Sequence, residues 1–344
     1  MRAVHFDAFG ERPALGELPA PACPPRGAII TVHATGVCRS DWHAWQGHDD
    51  AVQLPHIPGH EFAGVVAEIG EEVTGFAVGD RVTAPFILAC GRCAQCLAGA
   101  PQVCPEQRQP GFDLPGAWAE QVKVIEADHN LVALPDGIDM TLAAGLGCRV
   151  GTAHHAVRAQ AAVRPGEKVA VFGCGGLGLA CVMIALAADA EVLAVDVSPA
   201  ALAAAEALGA TALPSSPDIV ERVREATGGG AHVSLDALGS AATARAAIAS
   251  LRPRGRHVQV GLLLGEDADP SLPMGHVIAQ ELAILGSHGV AVAEYAELLA
   301  DVASGRLDLA GTVGRVIDAA DLPAAMTAMD QAPTSAGMTV ARWV

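Results

Sequence analysis

The chain has 344 residues, enough for two domains, and 51% of it is apolar, which is ample for burial. Aromatic residues make up only 3%, so the cores must be built from Ala, Val, Leu and Ile. A formal net charge of −17 with no run of Lys or Arg speaks against nucleic acid or an anionic membrane as the main partner.

Up to about residue 150 the pattern is short β-rich runs broken by Gly and Pro, such as 28–34, 62–69 and 121–125. No long helical period is visible there, and an irregular β-rich domain is expected. From about 165 to 290 strand and helix patterns alternate. Strands are predicted at 168–172, 191–195, 211–213, 231–236, 255–261 and 282–285, and helices at 177–188, 199–208, 217–226 and 240–251. This alternation predicts an α/β unit with a doubly wound parallel sheet. The last segment has a helix near 293–304 and strand-like runs at 313–317 and 339–343, and is expected to pack back onto the first domain. The division is therefore 1–150 with 290–344, and 151–289.

Two targeting signals are expected to be absent. Met1–His5 opens no apolar stretch of the kind a signal peptide needs. Val169–Ala188 carries no charge and is long enough to span a bilayer, but glycines at 173, 175, 176 and 178 interrupt it. A strand, a tight turn and a buried helix account for it better.

Cys90, Cys93, Cys96 and Cys104 follow the spacing C-x2-C-x2-C-x7-C. Four thiolates so close can surround one tetrahedral ion, zinc or an iron–sulfur centre. The loop is too polar and too rich in Gly, Pro and Gln to be core. A shell with all four corners filled by protein is structural, not catalytic. An iron–sulfur centre is disfavoured because the last gap is seven residues where a ferredoxin run has three. Thiolate ligands must stay reduced, which points to the cytoplasm.

After the strand 168–172 comes Gly173-Cys174-Gly175-Gly176-Leu177-Gly178, a G-x-G-x-x-G, then a helix. Asp196 closes the next strand, eighteen residues beyond Gly178. Strand, glycine turn, helix and acid together are a dinucleotide fingerprint. Gly173 permits the turn, Gly175 lets backbone approach a pyrophosphate, and Gly178 lets helix and strand pack closely. The helix N-terminus offers N–H groups to phosphates. Asp196 would accept hydrogen bonds from both adenosine ribose hydroxyls and repel a 2′-phosphate, so NAD is favoured over NADP.

Cys38 in Gly36–Asp41, His60-Glu61 in Pro58–Glu61, and Cys148 in Gly147–Arg149 say little singly. In order with the four-cysteine loop and the glycine fingerprint, they resemble the zinc-dependent medium-chain alcohol dehydrogenases along essentially the whole chain. The resemblance implies a Rossmann-type domain beside a GroES-like catalytic domain, two zinc ions per chain, and NAD-linked oxidation of a primary or secondary alcohol. It implies that Cys38, His60 and Cys148 hold a catalytic zinc with one open position. Glu61 becomes a neighbouring carboxylate able to approach the metal, and Asp41 the partner that orients His60. Ser40 matches the hydroxyl that bonds the substrate oxygen, and His43 the relay that passes its proton outward. Arg39 matches a pyrophosphate-contacting base and Thr152 a residue beside the nicotinamide. Phe86 and Trp118 fall at substrate-pocket aromatics.

Two positions depart from relatives. The sugar-alcohol branch generally has glutamate where Cys148 stands, which favours simple alcohols here. Ala201 stands where some relatives have a lysine near the adenosine. An aldehyde or ketone reductase on the same site is the nearest rival; a non-catalytic NAD-binding protein is disfavoured by the full set of site residues. A homotetramer or homodimer is implied.

Overall fold

The structure is a computed structural model that describes residues 1–331 and 336–343. Two sheets organise it. One has six parallel strands in the spatial order Thr211–Pro214, Glu191–Asp196, Lys168–Phe172, Ala231–Asp236, Leu251–Gln259, Ala283–Gly286. In chain order this is 3-2-1-4-5-6, the doubly wound arrangement. Alternate residues of each strand enter opposite cores. Val169, Val171, Val192 and Ala194 join the core with the helix Gly176–Ala187. Ala170, Phe172, Leu193 and Val195 join the core with Ile219, Val223, Ala247 and Ile248 from the helices Ile219–Thr227 and Ala241–Ala249. Cover on both faces explains the near-continuous apolar runs of the central strands Lys168–Phe172 and Glu191–Asp196.

The second sheet has seven strands, running Val313–Asp318, Met338–Arg342, Ala28–Val37, Phe62–Ile69, Arg81–Thr83 and Val132–Ala133, with Gln121–Val124 also paired to Ala28–Val37. The chain's last strand lies antiparallel to Ala28–Val37, so the final segment does pack onto the first. Besides the expected helix, found at Tyr295–Ala303, this segment carries a second, Leu322–Ala328.

Three departures from the expected elements matter. The strand expected at 255–261 runs Leu251–Gln259; Arg252-Pro253-Arg254 reads as a break, yet the strand carries it as an irregularity in register with Arg254 at φ +62. A helix Arg39–Trp45 begins directly after Cys38. Another, Arg149–His154, begins directly after Cys148 and runs on as a π-helix to Gln160. No helix among the described residues is long and apolar enough to cross a membrane.

Candidate active site and metal centres

Strand register assembles the site. Thr35 pairs with Phe62 across the antiparallel ladder, and Gly36 N–H donates to Glu61 O at 3.0 Å. The exit of one strand, Cys38, is thereby set beside the entry to the next, His60-Glu61. The third segment is tied in where Phe86 N–H donates to Gly147 O at 2.9 Å. Donor atoms of Cys38, His60 and Cys148 all lie within 4.8 Å of one another.

Asp41 is fully buried and holds two of these segments. Its Oδ2 accepts from Cys38 N–H at 2.9 Å, and its Oδ1 accepts from Gly59 N–H at 3.1 Å and from His60 Nδ1 at 2.9 Å. With Nδ1 engaged by a carboxylate, His60 carries its proton there and leaves Nε2 a bare acceptor. That Nε2 is buried and has no hydrogen-bond partner among the described residues. A buried imidazole nitrogen without a hydrogen bond is costly, and two cysteine sulfurs beside it complete a Cys2His donor set for zinc. The thiol of Cys38 is held well below its ordinary range, chiefly by a hydrogen bond with Cys148, against burial; Cys148 is pushed up by the same bond.

The four-cysteine loop gathers a second candidate donor set. Its sulfurs lie 3.4 Å (Cys93 to Cys96), 3.6 Å (Cys104 to Cys90), 3.7 Å (Cys93 to Cys104) and 4.0 Å (Cys90 to Cys96) apart. A tetrahedron with metal–sulfur bonds of ~2.3 Å has edges of ~3.8 Å, so these thiols suit one zinc ion. Backbone N–H groups, that of Arg92 first, lower Cys90 to about 7.

Several expected residues sit differently. Glu61 is fully buried, and Arg149 takes both its oxygens: backbone N–H and Nε each donate to Oε1 at 3.0 Å, and Nη2 donates to Oε2. Burial raises the Glu61 pKa while Arg149 lowers it. The carboxylate is thus paired with Arg149 in this structure. Trp118 does not line a pocket. It is fully buried in the core, its indole N–H donating to Gly36 O at 3.0 Å. Phe86 does stand beside the donor set, edge-on to His60 at 6.0 Å between ring centres. Phe112, 5.3 Å from His60, and His288, 5.6 Å from Phe86, share that wall and were not foreseen. Both lie in segments with no motif. Ser40 Oγ is 3.9 Å from Cys38 Sγ, and the Thr152 hydroxyl is buried without a partner among the described residues. Arg39 donates to Met329 O at 2.7 Å and lies over the Trp42 ring.

The glycine fingerprint lies at the carboxyl end of Lys168–Phe172, where the strand order reverses. Gly173 has φ +86, a left-handed turn, and a Cβ on Gly178 would collide with Gly173 O. A Cβ on Gly175 would meet nothing within 4 Å, so that backbone is open to a ligand. Asp196 faces the same turn: its Oδ2 accepts from Cys174 N–H at 2.6 Å and its Oδ1 from Ser198 N–H at 2.8 Å.

A parallel doubly wound sheet with a glycine-rich phosphate turn, beside a β-rich unit bearing a Cys2His set, defines a nicotinamide-linked, zinc-binding oxidoreductase. Residues 24–136 match the family described as alcohol dehydrogenase GroES-like domain, and residues 176–304 match the zinc-binding dehydrogenase family. An alcohol dehydrogenase of Geobacillus stearothermophilus is 34% identical over 292 residues, 83% of this chain and 84% of the relative. A probable D-xylulose reductase A of Aspergillus fumigatus is 34% identical over 333 residues, 92% of this chain and 89% of the relative. The solved alcohol dehydrogenase of Thermus sp. ATN1 superposes with a TM-score of 0.90 at 32% identity, covering 99% of each chain. The chain belongs to the zinc-dependent medium-chain alcohol dehydrogenase family. It is an oxidoreductase acting on alcohols.

Proposed function

We propose that the protein oxidises a primary or secondary alcohol reversibly to an aldehyde or ketone, prefers NAD to NADP, and holds two zinc ions per chain. The observation that carries this reading is the buried Nε2 of His60, without a hydrogen-bond partner among the described residues, between Cys38 and Cys148. Zinc bound there would polarise the substrate oxygen, and NAD would take the hydride from the carbinol carbon.

The chain's own residues do the rest. Asp41 fixes the His60 ring so that Nε2 faces the donor set. Ser40 accepts a hydrogen bond from the substrate hydroxyl, and His43 carries its proton outward. Phe86 and Phe112 give the reacting carbon a dry, apolar wall, which suits short or medium apolar alcohols. Asp196 takes the adenosine ribose hydroxyls, and its charge opposes a 2′-phosphate. Thr152 offers its free hydroxyl near the nicotinamide, and Arg39 its charge to the pyrophosphate. Thiolate ligands must stay reduced, which supports a cytoplasmic location, and the family resemblance supports a homodimer or homotetramer.

The test is a panel of primary, secondary and cyclic alcohols with NAD and with NADP at alkaline pH, on protein of measured zinc content. Oxidation with NAD, in a colourless protein carrying about two zinc per chain, is expected. No oxidation of any alcohol would sink the reading. Activity in the carbonyl direction alone would favour a physiological reductase.

A further inference from the structure

The helix Arg39–Trp45 ends in a tight reversal. Gly47, at φ +75, donates its N–H to Ala44 O at 3.1 Å, and His48 N–H donates to His43 O at 3.0 Å. These two bonds form a Schellman motif, in which the residue after the left-handed glycine comes to rest against the third residue from the helix end. That contact is ordinarily hydrophobic. Here it joins two imidazoles. The Nδ1 atoms of His43 and His48 lie 3.0 Å apart, with ring centres at 5.3 Å. One nitrogen of the pair must donate and the other accept, so the two tautomers are coupled.

The pair is also braced. Trp42 stands edge-on to both rings, at 5.0 Å from His43 and 5.7 Å from His48. Its indole N–H donates to Asp330 at 2.7 Å, and the Arg39 guanidinium covers its face at 4.9 Å. His43 is half-buried, whereas His48 is exposed. From the geometry we infer that His48 is the outer member of the proton relay and hands the proton from His43 to bulk water. This rests on the reading of His43 as the relay.

The step balances without redox change. His43 takes a proton at Nε2 from the site. Its Nδ1–H bond breaks as a new Nδ1–H bond forms on His48, and His48 releases the proton it held at Nε2 to water. One proton enters and one leaves; both rings end as the opposite tautomer, and both reset before the next turnover by exchange with solvent, which reaches the half-buried His43 as well as the exposed His48. Polarity favours the outward direction. Burial, then His48 and Arg39, lower the affinity of His43 for a proton, with Cys38 working weakly the other way. A proton arriving on His43 is therefore readily passed on.

The test uses the full-length, zinc-loaded enzyme and the variants H48Q and H43Q. For H48Q we expect kcat to fall roughly tenfold near pH 7, with the deficit closing at alkaline pH, where hydroxide takes the proton directly. The solvent deuterium isotope effect on kcat should rise, and added imidazole should restore most of the rate. Thermal melting should be unchanged, because His48 is on the surface. Were H43Q impaired and H48Q normal at every pH, the relay would stand without His48 and the inference would fail. Normal rates in both would remove His43 as relay as well. An H48Q deficit that imidazole does not repair and pH does not alter would make the pair a structural contact, which also overturns the inference.

Discussion

Arg149 wraps Glu61. Backbone N–H and Nε converge on one carboxylate oxygen at 3.0 Å each, and Nη2 takes the other. Both side chains are buried, and Glu61 is the residue next to His60. A Cβ on Gly36 would strike both of them, so the strand carries glycine where the pair passes. Breaking such a pair from one side leaves an uncompensated buried charge and costs about 3–5 kcal/mol, whereas replacing both partners by apolar groups can be neutral. R149M should therefore be strongly destabilised, and the double variant R149M/E61L should recover most of the loss. A double-mutant cycle by denaturant unfolding checks this. Simple additivity of the two single losses would show that the pair does not act as a unit.

Asp196 makes a prediction about the cofactor. Its carboxylate is anchored by Cys174 and Ser198 N–H groups, which aim it at the phosphate turn. Hydrogen bonds to a charged group contribute about 1.5–3 kcal/mol, so D196N should lose roughly ten- to hundredfold of the preference for NAD over NADP. The ratio of kcat/KM for the two cofactors measures it. An unchanged ratio in D196N would place the discrimination elsewhere.

How much of this was legible in the chain depends on how locally each feature is encoded. The strand Lys168–Phe172, its glycine turn and Asp196 were readable because mechanical demands fall on adjacent residues. The four cysteines were readable for the same reason. The helix Arg39–Trp45 was not: seven residues cannot display an amphipathic period, and its types serve chemistry more than packing. Arg149 left no mark either, since its partner stands 88 residues away and nothing about an arginine after a cysteine announces burial. Trp118 misled because position along the chain says nothing about which way an indole turns.

Glu294 links pH to stability. Its Oε1 accepts from His155 at 2.8 Å, and its Oε2 lies 3.7 Å from His154, which ties the segment before Tyr295–Ala303 to the helix after Cys148. Burial works against its charge, but the hydrogen bond from His155 and the nearby His154 ring outweigh burial and hold its pKa at about 2. A depressed carboxylate contributes stability that is complete above its ordinary pKa of roughly 4.3 and is lost as pH falls toward 2. A fall from 4.5 to about 2 corresponds to roughly 3 kcal/mol, reduced to about 2 kcal/mol by solvent screening of a side chain 21% exposed. E294Q should thus be about 2 kcal/mol less stable at pH 7 and no less stable than the parent near pH 2. Unfolding curves across that range decide it; a gap that stayed constant with pH would assign the loss to packing.

On the proposed reading of two zinc ions per chain, the two donor sets should fail in different ways. The lobe carrying Cys90, Cys93, Cys96 and Cys104 has almost no apolar core of its own: among the described residues its cluster consists of those cysteines and Ala89. It hangs from the sheet domain through Asn130, whose side chain accepts from Ala89 N–H at 2.9 Å and donates to Ala89 O at 3.0 Å. With so little to bury, the lobe would depend on a bound ion for folding energy. C90S should lose about one zinc per chain and melt several degrees lower, while the molecules still folded keep turnover within a few-fold. Around Cys148 the balance is reversed, because large cores pack on both sides and Asp41 already locks Cys38 to His60. C148S should also lose about one zinc per chain, yet keep its melting temperature within a few degrees and lose turnover by orders of magnitude. Metal analysis, calorimetry and initial rates on the two variants separate the roles. If C90S abolished turnover without lowering the melting temperature, the assignment of the two centres would be the wrong way round.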